Sequence, residues 1–259
     1  MAFAETKSAR FRYELIGPAQ APTVVFSNSL GTDFRMWEAQ VPALSRRFKL
    51  LLYDARGQRD SSIPPGPYSI EMLAQDVIDL LDELQIPTAD FCGLSMGGMV
   101  GMMVGQRFPH RFRKLVLCNT SPKIGTQESW NARIDAVTSG GMEGIVEAVL
   151  ERWFTPEFRK SGNPAVAATR AILLQSPAAG YVACCAAVRD MDQRHTISSI
   201  HMPTLVIGGA SDPVTPPADG RFVASQINGA QYVELPAAHL SNVEAAESFN
   251  QAVERFLLA

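Results

Sequence analysis

The residues best suited to chemistry are a serine between two glycines and, much further along the chain, an aspartate and a histidine. The stretch FCGLSMGGMV places Ser95 between Gly93 and Gly97, in the pattern Gly-x-Ser-x-Gly. A serine hydroxyl is a weak nucleophile until a base removes its proton, and that base needs an acid to orient it. Asp212 and His239 are our candidates for the acid and the base. Because the five-residue pattern also arises by chance, its meaning depends on the elements around it.

Ser95 lies where a strand is predicted to turn into a helix. The apolar run ADFCGL precedes it and the helical pattern MGGMVGMMVGQRF follows it. A sharp turn of this kind exposes the hydroxyl at the carboxyl end of the strand, and Gly93 and Gly97 relieve the crowding that side chains would cause. A serine that only caps the helix is the structural alternative, but it leaves the downstream Asp and His without a role.

The candidate acid and base follow two later strands. His239 lies after the last predicted strand and ahead of the final helix, whereas the other histidines lie beside the serine helix or near a long helical stretch. Asp212 follows the strand TLVIGG, although it could merely cap a turn before Pro213. The alternative acid position, after KLVLCNT, holds Asn119. Because the carboxyl ends of parallel strands meet at one edge of a sheet, we expect Ser95, Asp212 and His239 to meet there.

An acyl-transfer site also needs donors for the developing oxyanion. One is expected from the N–H of the residue after the nucleophile, here Met96, and one from the loop FSNSLGTDFRMW. Leu30, before Gly31, is our candidate for the second donor. The alternative is a turn that only reverses the chain.

Short apolar runs and helical patterns alternate along the chain. The runs are nearly continuous rather than alternating, which is typical of parallel strands covered on both faces. Strands are predicted at 11–16, 23–28, 49–55, 89–94, 114–120, 204–209 and 230–236. Helices are predicted between them at 69–84, 96–107 and 216–227, and a last helix at 245–258 closes the chain. This order predicts an α/β protein with a doubly wound, mostly parallel sheet.

One interval is too long for a simple crossover. Between the strands at 114–120 and 204–209 lie further helical patterns, divided by Gly- and Pro-containing breaks. We therefore expect residues 121–200 to form a helical cap over one end of the sheet, with 1–120 and 201–259 forming the core.

Composition excludes several classes of protein. Apolar residues make up 46% and charged residues 19%, with a formal charge of −3, so the chain is globular and has no excess of basic residues for nucleic acid. No signal-peptide core opens the chain, and the longest uncharged apolar stretch, 91–105, is too short to cross a bilayer, so we expect a cytoplasmic protein without a membrane partner. The four cysteines lack metal-ligand spacing, so no metal site or disulfide framework is expected.

With these motifs, nearly the whole chain resembles the α/β-hydrolases, and more closely the 3-oxoadipate enol-lactonases of aromatic catabolism. The strings that carry the resemblance are SNSLGTDFRMW, GLSMGGMVG, SWNARI, ERWFTPEFR, GYVACCAAVRDMDQR and HLSNVEAAESFN. It implies the α/β-hydrolase fold with a helical cap inserted after the sixth strand. One departure is DARGQRDS, where Arg59 stands in place of a common glycine and puts the local backbone geometry in question.

The resemblance implies a serine hydrolase of the β-ketoadipate pathway that opens 3-oxoadipate enol-lactone to 3-oxoadipate through an acyl-enzyme on Ser95, without a metal or organic cofactor. The substrate is a small anionic lactone, so the pocket should offer a cation. We expect Arg133 or Arg189 in this role, with Trp130 or Trp153 shaping the pocket.

Other functions remain compatible with the same motifs. A different carboxylesterase or a hydrolase of carbon–carbon bonds would share the Ser, Asp and His, so only the pocket would distinguish them. A non-catalytic ligand receptor on the same fold is a further alternative. Family members with a carboxylate nucleophile are disfavoured, because this chain has Ser95 at that position. The oligomeric state is not readable from the sequence.

Overall fold

A computed structural model describes residues 2–259. The strands are β1 Ala2–Glu5, β2 Arg10–Ile16, β3 Thr23–Ser27, β4 Lys49–Tyr53, β5 Ala89–Leu94, β6 Phe112–Cys118, β7 Thr204–Gly209 and β8 Gln231–Leu235. The helices are α1 Val41–Leu44, α2 Ile70–Glu83, α3 Met96–Arg107, α4 Gln127–Gly140, α5 Val146–Trp153, α6 Pro156–Lys160, α7 Pro164–Leu174, α8 Ala178–Asp190, α9 Pro217–Gln226, α10 Ser241–Glu244 and α11 Ala246–Leu258. No single helix in this range is long and apolar enough to span a membrane; one bent pair, α7 and α8, passes on length and composition alone.

The strands form one eight-stranded sheet in the order β1-β2-β4-β3-β5-β6-β7-β8. Strands β1 and β2 pair antiparallel, as do β2 and β4, and every other neighbouring pair is parallel. The predicted doubly wound, mostly parallel α/β-hydrolase sheet is therefore confirmed. Strand β1 was missed, because a four-residue edge strand with three exposed residues has too little apolar pattern to be recognised. With β1 counted, helices α4 to α8 follow the sixth strand, as the resemblance implies.

The sheet positions the carboxyl ends of its central strands for a site. Every residue of β3, β5 and β7 is buried, which explains their continuous apolar runs. The strand order reverses at β3, which pairs with β4 on one side and β5 on the other. Open α/β sheets form their binding crevice at such a reversal. The register pairs Ser27 with Gly93, so the loops that carry Leu30 and Ser95 leave the sheet side by side.

Helix α3 packs unusually close to strand β3. A Cβ atom on Gly97 would lie 2.0 Å from the carbonyl oxygen of Ser27, so only glycine permits this approach. This contact explains the second glycine of the serine motif and holds the start of α3 against the sheet.

The segment 121–200 contacts the core at several places. Its helix α8 crosses the loop after β4, where Gly180 meets Gly57, and the N–H of Tyr68 donates to the carbonyl of Ala183 at 3.3 Å. The N–H of Leu240 donates to the carbonyl of Trp153 at 3.1 Å. The division into a core and a cap at 120/121 and 200/201 stays a prediction.

Arg59 has a backbone conformation that favours glycine. Its φ is +45°, in the left-handed region that favours glycine. The departure from the family pattern therefore places a residue with a Cβ in a left-handed conformation, at a cost in backbone strain. The Arg59 side chain donates through Nη1 to Oε1 of Gln175, just after α7, at 2.5 Å.

Candidate active site

Ser95 occupies a strained turn between β5 and α3. Its backbone angles are φ +58° and ψ −116°, a conformation that L-residues rarely adopt. Two neighbours hold it: the Ser95 N–H donates to the carbonyl of Cys118 at 2.9 Å, and the hydroxyl of Thr120 donates to the Ser95 carbonyl at 2.8 Å. The predicted strand–turn–helix arrangement around the serine is therefore present, with both partners supplied by the end of β6 and the residues after it.

Asp212 and His239 come together although 27 residues separate them in the chain. Asp212 follows β7, His239 follows β8, and their side chains join through His239 Nδ1 and Asp212 Oδ2 at 2.8 Å. Both side chains are buried. Because Nδ1 is engaged by the carboxylate, Nε2 is the ring nitrogen left to serve as a base.

The Asp212 carboxylate is surrounded by donors. Its Oδ1 accepts from the N–H groups of Val214 and Thr215 at 2.8 and 3.0 Å, and its Oδ2 accepts from the Thr215 hydroxyl at 2.7 Å and the Asn119 amide at 3.0 Å. Burial alone would raise the pKa of Asp212, but the charge of His239 and the hydrogen bonds from His239, Asn119 and Thr215 outweigh it and lower the pKa to about 2. Asp212 thus caps a turn and holds the histidine at once.

Asn119 is part of this network, and sequence reasoning did not assign it a role. Its amide donates to Asp212 and, at 3.2 Å, to the carbonyl of Ala238, while its Oδ1 accepts from the hydroxyl of Ser241 at 2.5 Å. The Asn119 φ is +43°, which asparagine tolerates better than most residues. The available signal was its place after β6, where an acid could have stood.

Ser95 and His239 line one narrow cavity. Other residues of its wall include Leu30, Met96, Trp130, Arg133, Trp153 and Tyr181. Among residues 2–259 no hydrogen bond joins the Ser95 hydroxyl to the imidazole of His239. Such bonds are often long without substrate and tighten when it binds, so the geometry is compatible with a nucleophile and its base.

Two backbone N–H groups at this cavity have no acceptor in the described part of the chain. They belong to Leu30 and to Met96, the first residue of α3. A tight turn presents Leu30: the N–H of Thr32 donates to the carbonyl of Ser29 at 3.2 Å, and Gly31 has φ +78°. Buried N–H groups are nearly always paired, so two free ones beside a serine suit a ligand oxygen.

The structure brings one of the two candidate arginines to the cavity. Arg133 donates through Nη1 to the hydroxyl of Tyr181 at 3.3 Å and lies over the ring of Trp130, 5.4 Å from its centre. No carboxylate pairs with Arg133 anywhere in residues 2–259. Arg189 does not line the cavity, because Asp190 at 2.7 Å and Asn131 at 2.8 Å hold its guanidinium at the surface.

The two predicted tryptophans both line the cavity. The Trp130 indole N–H donates to the carbonyl of Ile124 at 2.9 Å, which fixes its ring beside Arg133. The Trp153 ring lies 6.2 Å from that of His239, centre to centre. In the described chain no group of three or more His, Cys, Asp or Glu side chains is arranged to hold a metal ion.

Comparison with known proteins shows the family of the chain. The sequence pattern of the alpha/beta hydrolase fold family matches residues 22–246. Two similar proteins of Acinetobacter baylyi are 3-oxoadipate enol-lactonase 2, 42% identical over 97% of this chain and 96% of its own, and 3-oxoadipate enol-lactonase 1, 39% identical over 94% and 91%.

A crystal structure of the enol-lactonase from Burkholderia xenovorans has a TM-score of 0.98 to this chain and 41% sequence identity, and it covers all of both chains. Fold and sequence are thus similar over almost the full length. The chain belongs to the α/β-hydrolase fold family.

Proposed function

We propose that this chain is a serine hydrolase that opens 3-oxoadipate enol-lactone to 3-oxoadipate in the β-ketoadipate pathway. The observation that carries the proposal is a cavity in which Ser95 and His239 lie beside Arg133, a guanidinium that no carboxylate pairs with among residues 2–259. An ester-cleaving site with a free cation suits a substrate that is both a lactone and an anion. The two Acinetobacter relatives that bear the name of this activity support the assignment.

In the first step, Ser95 Oγ attacks the lactone carbonyl while His239 Nε2 takes its proton. The carbonyl oxygen becomes an oxyanion, which the N–H groups of Leu30 and Met96 accommodate. Asp212, ionised at neutral pH with its pKa at about 2, stabilises the imidazolium that forms.

In the second step, the tetrahedral intermediate collapses and the ring carbon–oxygen bond breaks. His239 returns its proton to the departing enol oxygen, and the enol converts to the 3-oxo group. An enol is a better leaving group than an ordinary alkoxide, so this step has a low demand for acid catalysis. His239 then activates water, which cleaves the acyl-enzyme and restores Ser95.

The carboxylate of the substrate binds Arg133 in this scheme. A guanidinium held over an indole ring keeps its orientation and can donate two hydrogen bonds to a carboxylate. Arg152 adds to the positive field: burial and the charge of Arg133 lower its pKa, and no acid pairs with it in the described chain. The small-molecule partner and the cytoplasmic location belong to the same proposal.

The test is turnover of 3-oxoadipate enol-lactone, generated in situ, by the wild type and by Ser95→Ala. Lactone hydrolysis by the wild type should fall by about 10⁴-fold or more in the variant, since a triad without its nucleophile retains only residual activity. Ser225→Ala, which removes an exposed serine hydroxyl from α9, is the matched control and should be unchanged.

Hydrolysis of p-nitrophenyl acetate separates the rival functions. Fast cleavage of this neutral ester without lactone turnover would place the chain among general carboxylesterases. Absence of turnover with both substrates, together with failure of a fluorophosphonate to label Ser95, would favour a non-catalytic receptor.

A further inference from the structure

The carboxylate of Glu244, at the end of α10, joins the histidine loop to the segment 121–200. Its Oε2 accepts from the N–H of Ala238 at 2.9 Å. Both of its oxygens accept from the N–H of Thr155, at 3.2 and 3.3 Å, and Oε1 also accepts from the Thr155 hydroxyl. One side chain therefore contacts the residue before His239 and the residue that follows α5 and Phe154.

A second bond joins the same two stretches on the other side of the histidine. The N–H of Leu240 donates to the carbonyl of Trp153 at 3.1 Å. The amides that flank His239 are thus both tied to the short stretch 153–155, one directly and one through Glu244. The Trp153 ring lies 6.2 Å from the His239 ring, and both rings line the cavity. The same hydrogen bonds therefore fix the candidate base and one wall of the pocket relative to each other.

We propose that Glu244 is a positioning residue that sets the placement of His239 relative to Ser95 and to the wall formed by Trp153. This inference rests on the proposed hydrolase function. Asp212 holds the ring through Nδ1, but that hydrogen bond does not itself restrain the loop backbone, which Asn119 contacts at the carbonyl of Ala238 and Glu244 at the N–H of the same residue. The carboxylate of Glu244 restrains that backbone, and hydrogen bonds from N–H groups to an ionised carboxylate are about twice as strong as neutral ones.

A modest shift of the loop would matter for proton transfer. Catalysis depends on reacting groups being about 3 Å apart, and a displacement of about 1 Å can cost about 100-fold in rate. A loss of Glu244 should therefore lower kcat for any ester that Ser95 attacks. It should leave KM for the lactone nearly unchanged, because Arg133 lies on α4, away from the contacts of Glu244.

The experiment compares Glu244→Ala, Glu244→Gln and the matched control Glu247→Gln. We expect Glu244→Ala to lower kcat about tenfold or more for both the lactone and p-nitrophenyl acetate, with KM changed less than about twofold. Glu244→Gln should recover most of kcat, because its amide oxygen can accept from Ala238 and its amide N–H can donate to the Thr155 hydroxyl. Glu247 is exposed on α11, and among residues 2–259 its carboxylate accepts a side-chain hydrogen bond only from Gln251, so its variant should match the wild type.

Hydrogen exchange distinguishes positioning from a merely structural role. Amides 238–240 and 155 should exchange faster in Glu244→Ala, while those of the central strands stay protected. A lower melting temperature with kcat within twofold of the wild type would overturn the proposal, as would a loss confined to KM. If Glu244→Ala does not fold, Glu244→Met, of similar length and without the carboxylate, replaces it in every comparison.

The readouts also separate this proposal from the proposed function. If the wild type cleaves only the neutral ester, the lactone assignment fails while kcat for that ester still tests Glu244. If it turns over neither substrate, the rate of fluorophosphonate labelling of Ser95 takes the place of kcat, with the same expected fall in Glu244→Ala. A wild type that is not labelled either would overturn both proposals.

Discussion

At the residue scale, Arg133 is held by aromatic groups instead of a carboxylate. Its guanidinium lies over Trp130 and donates to the Tyr181 hydroxyl. An arginine paired with a protein acid has little capacity for a ligand anion, as Arg189 and its partner Asp190 illustrate. The neighbours of each arginine thus decide which of the two is the better candidate to bind the substrate carboxylate. Of the two, only Arg133 lines the cavity with Ser95.

Replacement of Arg133 by glutamine should raise KM for the anionic lactone by about 10- to 100-fold, the usual cost of a lost hydrogen bond to a charged group. KM for p-nitrophenyl acetate should change less than about twofold, because that ester carries no charge. Arg189→Gln is the matched control and should leave both values unchanged. Equal effects of Arg133→Gln on the two substrates would remove Arg133 from carboxylate binding.

At the element scale, helix α8 is seated on the loop after β4 by a contact between two glycines. A Cβ on Gly180 would lie 2.0 Å from the carbonyl oxygen and 2.5 Å from the Cα of Gly57, both backbone atoms. Tyr181, the next residue of α8, accepts a hydrogen bond from Arg133 through its hydroxyl. Arg59, in the loop after β4, donates a hydrogen bond to Gln175, which precedes α8. The position of α8 therefore controls part of the cavity wall.

Gly180→Ala should force α8 away from the loop after β4, because the added Cβ would overlap backbone atoms of Gly57. Moving either backbone costs free energy. We expect a loss of about 1–3 kcal/mol in the free energy of unfolding, the usual cost of overpacking, measured by urea denaturation. Gly140→Ala serves as the control, because a Cβ at Gly140 of α4 meets nothing within 4 Å. A free energy for Gly180→Ala equal to that of the control would contradict the proposed seat of α8.

At the scale of the whole molecule, loops after three parallel strands converge on one ionised carboxylate. Asn119 after β6, Thr215 after β7 and His239 after β8 all contact Asp212. Because these bonds form only when β6, β7 and β8 are assembled, the charge of Asp212 is linked to the folding of this half of the sheet.

The pKa of Asp212 is lowered from an ordinary 3.8 to about 2, so the folded protein binds this proton less readily than the unfolded chain. Stability from this group is fully present above about pH 4 and should be lost as the pH falls from about 4 to about 2. The shift corresponds to about 2 kcal/mol. Urea denaturation of the wild type and Asp212→Asn between pH 7 and pH 2 should show the two free energies converging by about that amount in acid. Parallel curves would contradict the linkage.

The amino-acid sequence by itself determined the local features: the strand–turn–helix around Ser95, the order Ser95, Asp212, His239, and the helices between β6 and β7. These follow from apolar periodicity and turn chemistry, which depend on residues near one another in the chain. The four-residue strand β1 was missed for the same reason, since it is defined by pairing with β2 rather than by its own pattern.

Only the tertiary structure decided which side chains form hydrogen bonds with one another at the site. Asn119 reaches Asp212 across 93 residues, Arg133 reaches Tyr181 across 48, and Glu244 reaches Thr155 across 89. Hydrogen bonds and ion pairs require atoms within about 3 Å, and side chains so far apart in sequence meet only where packed strands and helices bring them together. For that reason the candidate nucleophile, base and acid could be predicted from the sequence, whereas the roles of Asn119 and Glu244 could not. The sequence also offered Arg133 and Arg189 as candidate cations without choosing between them.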